Sequence, residues 1–454
     1  MPILSRIQQN RQHLVPLFLT IIALLYLVGV RQQFLYVNID RFQTDQSAYL
    51  EAAKSLKTSN YTVLTDRNRM PVYPFLLSLL YESGLSDEAF FARGKLLNIG
   101  LSLLTLPILF WIFRQYLPLF TAVNLILIHA FTLYIFKAAY VQAELLFYLF
   151  NFAGFLLLCR LLWQPAWPTA VSTGILLGVA HLTKASILPG LLLFGGTAVL
   201  QAIFRRFWQR PSPPQLRQFL LDLTIPALVI LFFLLTIWPY IQNSKEHFGH
   251  YFYNVNSTFY IWYDHWEEVE TGTKAYGDRS GWPDMPPDEV PSATKYFREH
   301  STTQIFERFF NGLLVILITT TNSYGYLIYF CLLFGLVLSL VIVNRQQTMI
   351  IIKKYPFISL FVSGFFGAYS LLYAWYWPIS SGNRFVLALF TPIMFTLAFL
   401  LYRLFEPQLS LKLSRHSQTR INLGQLLNWI MITVLLVDLY IILTVRIGVF
   451  YGGF

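Results

Sequence analysis

The sequence predicts an all-α, polytopic integral membrane protein with about 11 transmembrane helices and interfacial helices in its outer loops. Two observations lead there. Hydrophobic residues make up 56% of the 454-residue chain and charged residues only 12%, with a mean hydropathy of +0.53, outside the range of soluble domains. Uncharged runs then recur at 14–30, 96–113, 185–204, 324–343, 355–383 and 385–402, each near the ~20 residues a spanning helix needs. Backbone groups in lipid must bond internally, so these runs are helices.

Taken from the N-terminus, spans fit at 14–36, 95–113, 117–136, 139–162, 165–183, 185–204, 219–241, 322–343, 356–377, 385–404 and 426–446. Basic residues precede the first span and no small-residue cleavage site follows it, which reads as a retained signal anchor. Fifteen of the 33 basic residues fall in segments assigned to the inner side, where the only acids are Asp222 and Glu406. That positive-inside bias orients the chain, with its N-terminus inside and its C-terminus outside. It also accounts for the net charge of +11 without any nucleic-acid partner. Cys159 and Cys331 both lie inside spans and carry no disulfide or redox signal.

The organisation has three parts: residues 1–241, an N-terminal membrane module whose first outer loop is 37–94; residues 242–321, a second outer loop with interfacial helices; and residues 322–454, the C-terminal spans. In the first loop, Tyr49, Leu50, Ala53 and Leu56 recur at helical spacing over 46–56, with Lys54 and Lys57 on the other face. Such a helix is expected to lie on the membrane surface. A second apolar segment, 72–81, follows Pro71 and is too short to cross, so it is expected along the interface. The Pro, Gly and Asp content of the second loop predicts an ordered loop without a core of its own. Residues 292–308 read as helical. The run 309–344 is too long for one span, and its polar break TTTNSYG predicts an interfacial helix followed by a span.

Ionisable groups held against a bilayer are costly and mark function. Here they gather in one stretch, 38–74, where Asp40, Asp45, Glu51 and Asp66 stand among Arg41, Arg67 and Arg69. Asp45 precedes the 46–56 helix and suits either a general base or an N-cap. Asp40 is the rival base, and it stands beside Arg41. His247, His250 and His265, near Asp264 and Glu267, match no tight metal-ligand spacing. No metal is assigned, and an auxiliary divalent ion stays open. Tyr373, Trp375, Tyr376 and Trp377 suit a membrane interface or stacking on a sugar. Asn60-Tyr61-Thr62 and Asn256-Ser257-Thr258 are glycosylation sequons on the outer side.

The strings DQSAYLEAAKSL and RMPVYPFLLSLL resemble the first outer loop of the GT-C-fold glycosyltransferases that use polyprenyl-phosphate sugars, such as the lipid A aminoarabinose transferases and the protein O-mannosyltransferases. Further similar strings follow in order: AELLF at 143–147, LTKASILPGLLL at 182–193, WPYIQNSKEHFG at 238–249 and NRFVLALFTPIMF at 383–395. The resemblance covers most of the chain. It implies a GT-C-type fold and a sugar transferred, with inversion, from a polyprenyl-phosphate donor to a hydroxyl-bearing lipid, polysaccharide or protein. It implies Asp45 as the base that takes the acceptor proton, and Arg69, Arg384 and Lys184 as contacts for the donor phosphate. Asp40, Glu144, Arg67 and Tyr73 line the site in this reading, with Glu144 pairing Arg69 or Lys184. Met70 departs from the small residue or proline usual at its position, which leaves the geometry beside Arg69 open. The site would face the periplasm of a bacterial inner membrane, or the lumen of the endoplasmic reticulum in a eukaryote. Two other classes remain at this point: a lipid-linked sugar flippase or secondary transporter, and an O-antigen ligase or polymerase using a diphosphate-linked glycan.

Overall fold

The structure, a computed structural model, describes residues 17, 19–64, 66–207, 215–321, 325–379, 384–405, 409–412 and 420–449. Its helices run in the order expected. α1 is Leu19–Val37, α2 Gln46–Thr58, α3 Val72–Ser78, α4 Asp87–Tyr116, α5 Leu119–Lys137, α6 Glu144–Trp163 and α7 Trp167–Thr183. Then come α8 Leu188–Phe207 and α9 Gln215–Phe248, followed by the short loop helices α10 Val255–Thr258, α11 Trp266–Thr271 and α12 Ala293–Glu299. α13 Thr302–Thr321, α14 Leu327–Val343, α15 Arg345–Lys354, α16 Pro356–Tyr376, α17 Arg384–Phe399 and α18 Leu423–Thr444 complete the set. Between the last two lies one short antiparallel ribbon, β1 Ser410–Lys412 with β2 Arg420–Asn422. It is a small exception to an otherwise all-helical chain.

Among the described residues, nine helices are long and apolar enough to cross a membrane. α7 and α14 have 17 residues each and fall just short, and together these eleven coincide with the eleven expected spans. The protein is a polytopic membrane protein. After α14 the chain turns through 98° into α15, so the basic Arg345, Lys353 and Lys354 leave the span's axis and need not enter lipid.

Two kinds of contact hold the spans. One is aromatic: Phe113, Phe152 and Phe395 meet at centroid distances of 5.2–6.0 Å and join α4, α6 and α17. The other is close backbone approach. Gly174 and Gly178, spaced four apart on α7, face α9 so tightly that a Cβ at Gly174 would lie 2.6 Å from the Val229 carbonyl oxygen. One at Gly178 would lie 2.5 Å from Thr236 Cβ. Small residues at this spacing let two helices pack through van der Waals contact where lipid supplies no hydrophobic drive.

The outer loops differ from expectation in their partners. α2 has the expected apolar face, but that face does not rest on the membrane. Tyr49, Leu50 and Ala53 are buried against Tyr73 and Leu77 of α3 and Phe90 and Phe91 of α4. α3 is shorter than the expected 72–81; Tyr73 and Leu77 on one face are fully covered by protein, while Phe75 and, just past its end, Leu79 stay exposed. Helical periodicity shows which face is apolar and is silent on whether lipid or protein covers it. The second loop also departs from expectation, because it has a small core of its own. Tyr253, Val255, Phe259, Tyr260, Val269 and Val290 pack together with Ile379. The expected 292–308 helix is split after α12, whose C-cap is His300, and α13 resumes from Thr302 to Thr321.

Candidate active site

Two interruptions of helix build the floor of the site. Between α5 and α6, residues 138–143 have no regular structure yet are entirely buried. The helix therefore begins at Glu144 rather than near 139, as expected. Irregular backbone this deep must bond to protein, and three side chains supply the bonds. Asn98 donates to the carbonyls of Tyr140 and Gln142, the latter at 3.0 Å. Asn38 donates to the Ala139 carbonyl at 2.8 Å, and Gln46 accepts from the Val141 amide at 2.9 Å. Asn38 and Gln46 also exchange a reciprocal pair of 2.8 Å amide bonds, which fixes the start of α2 over this floor. The second interruption is Lys184, whose extended backbone (φ −157°, ψ 129°) stops α7.

Asp45 stands at the N-cap position of α2, but its carboxylate makes no bond to the helix's first amides. It is turned instead to two other partners. Arg69 Nη2 lies 3.3 Å from Oδ2, and Gln142 Nε2 donates to Oδ1 at 3.2 Å. The side chains of Asp45 and Arg69 are only 15% and 13% exposed, so this ion pair is shielded from solvent screening. The Arg69 guanidinium lies over the Tyr49 ring at 5.2 Å, and the Asp66 carboxylate holds its backbone amide at 2.9 Å. Its Nε is buried and donates no hydrogen bond among the described residues. The planar fork is thus only partly used. Beside it a cleft of about 40 Å³ opens between α2, the 63–71 segment and α3, lined in part by Leu56, Leu64, Asp66, Arg69 and Pro74.

Glu144 and Lys184, from the two interruptions, pair at 3.1 Å. Of the two expected partners for Glu144, the structure selects Lys184. The acid sits in the first turn of α6, where the helix dipole favours negative charge. Tyr73 is fully buried, edge-on to Tyr49 at 5.2 Å. Burial pushes its phenol well above the ordinary value, and the Tyr49 and Glu144 charges add to this.

The other expected residues lie elsewhere. Asp40 is exposed, and its carboxylate accepts the Phe42 amide at 2.9 Å, closing a local turn. Arg41 pairs with Asp87 and Glu88, at 2.8 and 3.2 Å, not with Asp40. Arg67 reaches the second loop, donating to the Tyr260 hydroxyl at 3.3 Å while its carbonyl accepts from Val255 at 3.0 Å. Asn243 of α9 completes that bridge with bonds of 2.7 Å to both Leu64 and Thr62. Arg384 opens α17, but its side chain lies outside the described residues. One turn further on, the Ala388 carbonyl accepts from Asn151 of α6 at 3.1 Å.

Asp264 does not join the nearby histidines as a ligand set. It takes bonds from Arg308 (2.7 Å), His300 (2.7 Å) and Tyr296 (2.8 Å). Burial disfavours its charge, but the Tyr296 and His300 bonds and the Arg308 charge outweigh that and hold its carboxyl below the ordinary range. Arg308 also donates to the carbonyls of Trp375 and Ile261, and its guanidinium lies 4.4 Å from the Trp375 ring. Trp375 therefore serves as an anchor for the second loop. Among the described residues no group of three or more His, Cys, Asp or Glu side chains is placed to hold a metal ion.

Gln142, Asn98, Gln46 and Asn38 escaped the sequence reading. As neutral amides they carry none of the charge that marks a residue in an apolar chain, and only Gln46, next to Asp45 in the first motif, had a positional hint.

Neither a protein-family model nor a curated protein matches this sequence. Among solved structures the chain is similar to the crystal structure of ArnT from Cupriavidus metallidurans bound to undecaprenyl phosphate, at 14% identity over 92% of this chain and 84% of that one, with a TM-score of 0.29. A likeness that slight carries no argument about substrate or residue roles.

Proposed function

We propose that this protein is a membrane glycosyltransferase of GT-C type, moving a sugar from a polyprenyl-phosphate carrier to a hydroxyl acceptor at the outer face of its membrane. The observation that carries this reading is the placement of Asp45. Its carboxylate ignores the helix it could cap and is held, nearly buried, between Arg69 and Gln142. The ordered run of motifs that resembles the family adds support, and the positive-inside bias supports the outer orientation.

In this mechanism the acceptor oxygen attacks the anomeric carbon as its proton passes to Asp45. The bond from that carbon to the phosphate oxygen breaks on the opposite side, so configuration inverts. The polyprenyl phosphate departs as a stable anion and needs no proton donor. One carboxylate therefore suffices, unlike the pair a glycosidase uses. Arg69 has a double task. Before the donor arrives it is the counter-ion of Asp45; when the phosphate takes a share of the guanidinium, the carboxylate loses part of that counter-charge. Its affinity for a proton then rises as the acceptor hydroxyl needs a base. Charge collecting on the leaving phosphate is stabilised by the same fork and by Lys184 and Arg384.

The test is transfer by the purified wild-type protein in detergent, where no transport across a membrane is possible. Polyprenyl monophosphate-linked and diphosphate-linked sugars from the host envelope are supplied side by side, with products read by mass spectrometry. Transfer from the monophosphate donor alone is expected. Transfer from the diphosphate donor alone would move the protein to the ligase class, and no transfer from either would favour a transporter.

A further inference from the structure

The candidate base is held by a residue from the opposite side of the site. Gln142 belongs to the buried, irregular 138–143 segment and is itself 2% exposed. Its Nε2 donates to Asp45 Oδ1 at 3.2 Å and to Thr44 Oγ1 at 3.1 Å. The chemistry of the partner fixes which way the amide points. An ionised carboxylate only accepts, so the nitrogen must face Asp45. The remaining end, Oε1, is buried and takes no hydrogen bond among the described residues. A glutamine kept in such surroundings is not there for packing, because an apolar side chain of its size would avoid the buried, unsatisfied oxygen.

Two further observations bear on what the amide does. Thr44 has φ +60°, the left-handed region that a β-branched residue enters only under constraint from its surroundings. Gln142 binds the side chain of that same residue and so helps to hold the kink that turns Asp45 away from its helix. The backbone carrying Gln142 is itself fixed, with Asn98 on its carbonyl at 3.0 Å and Gln46 on the preceding amide at 2.9 Å. Arg69 holds the other carboxylate oxygen, at 3.3 Å. Asp45 is thus gripped at both oxygens, one by a cation from its own loop and one by a neutral amide anchored between two spans.

We propose that Gln142 is a positioning residue for the Asp45 carboxylate, fixing its rotamer and the Thr44 backbone for proton abstraction. This rests on Asp45 being the base. A hydrogen bond to the ionised form favours it, and a base displaced by even an ångström loses rate steeply.

The test uses the full-length protein in detergent with Gln142→Met, which keeps the length and removes both polar atoms. Two readouts are taken. Carbodiimide labelling of Asp45 against pH, followed by peptide mass spectrometry, reports protonation of the carboxyl without any substrate; exposed Glu299 serves as an internal standard. Transfer kinetics report the reaction. In Gln142→Met the labelling curve of Asp45 moves to higher pH, and the acid limb of kcat/KM moves with it. kcat falls by about 10- to 100-fold, and the donor KM changes much less. Gln142→Asn, which keeps an amide but withdraws it from Asp45, gives the same directions and serves if the methionine variant does not fold. A wild-type labelling curve in both variants, with kcat within about twofold, overturns the assignment. Loss of kcat with an unmoved labelling curve also overturns it, since that is the mark of a general structural defect. Absence of transfer in the wild type counts against the glycosyltransferase reading, whereas the labelling arm still decides whether Gln142 holds Asp45.

Discussion

Lys184→Met removes the counter-charge of a carboxylate that is 2% exposed, and the cost can be worked from the pair itself. Glu144 and Lys184 meet at 3.1 Å, with Lys184 only 17% exposed, so water screens them poorly. Breaking a buried pair from one side costs about 3–5 kcal/mol, because a charge is left without its partner. The α6 dipole returns about 0.3–1 kcal/mol to Glu144 at its N-terminus. A net loss of about 3 kcal/mol follows for Lys184→Met. Glu144→Gln costs less, about 2 kcal/mol, because the freed ammonium can extend toward solvent. With both changes no bare charge remains, and the double variant recovers at least about 1.5 kcal/mol relative to Lys184→Met alone. The assay is reversible unfolding of the four proteins in mixed micelles, analysed as a double-mutant cycle. Single variants within about 0.5 kcal/mol of wild type, or a double variant as unstable as the sum of the singles, would refute a coupled buried pair.

Three other outcomes follow from the outer loops and the floor. Arg308→Met leaves Asp264 without its arginine and takes the guanidinium donor from the Trp375 carbonyl, while the Ile261 carbonyl keeps only the Trp375 indole N–H; limited proteolysis within 252–291 accelerates at least tenfold, and Arg308→Lys, lacking the planar fork, restores less than half of the protection. The Asp264 carboxyl is held below its ordinary value, so its contribution to loop docking is complete above about pH 4. That contribution is lost as pH falls through the depressed value, so proteolytic protection in wild type declines only under acid conditions and Asp264→Asn removes that decline. Gln46→Leu strands the Asn38 side-chain oxygen and the Val141 N–H, both buried, while the Asn38 Nδ2 keeps the Ala139 carbonyl; it lowers stability by about 2–4 kcal/mol, as two orphaned groups at 1–2 kcal/mol each imply, read by the same unfolding assay.

Much of this was legible in the sequence, and the part that was not has a physical reason. Spans announce themselves because lipid tolerates little charge over a fixed length, so the eleven expected spans coincide with described helices. Asp45, Arg69, Glu144 and Lys184 stood out for the same reason in reverse: charge in an apolar chain is rare enough to notice. Amides do not stand out. Gln142 lies in AAYVQAELLF, which reads as the start of a span, and nothing local says that 138–143 forgoes helix. That follows only from Asn98 and Asn38, 40 or more positions away in sequence, whose side chains take the bonds the helix would have made. Amphipathicity placed the right face on α2 but assigned it to lipid, because an apolar stripe does not name its partner. Asp264 shows a related limit. Its histidine neighbours in sequence matched no ligand spacing and gave it no role, while its real partners, His300 and Arg308, are 36 and 44 positions downstream.

Asp45→Asn is the most direct measurement of all. The change keeps size and position and removes the group that accepts the proton. Single-turnover transfer in detergent from pre-formed polyprenyl-phosphate sugar is predicted to fall by about 10²–10⁴-fold, with binding of polyprenyl phosphate retained. Transfer by Asp45→Asn within tenfold of wild type, at unchanged donor binding, would contradict the assignment of this carboxylate as the base.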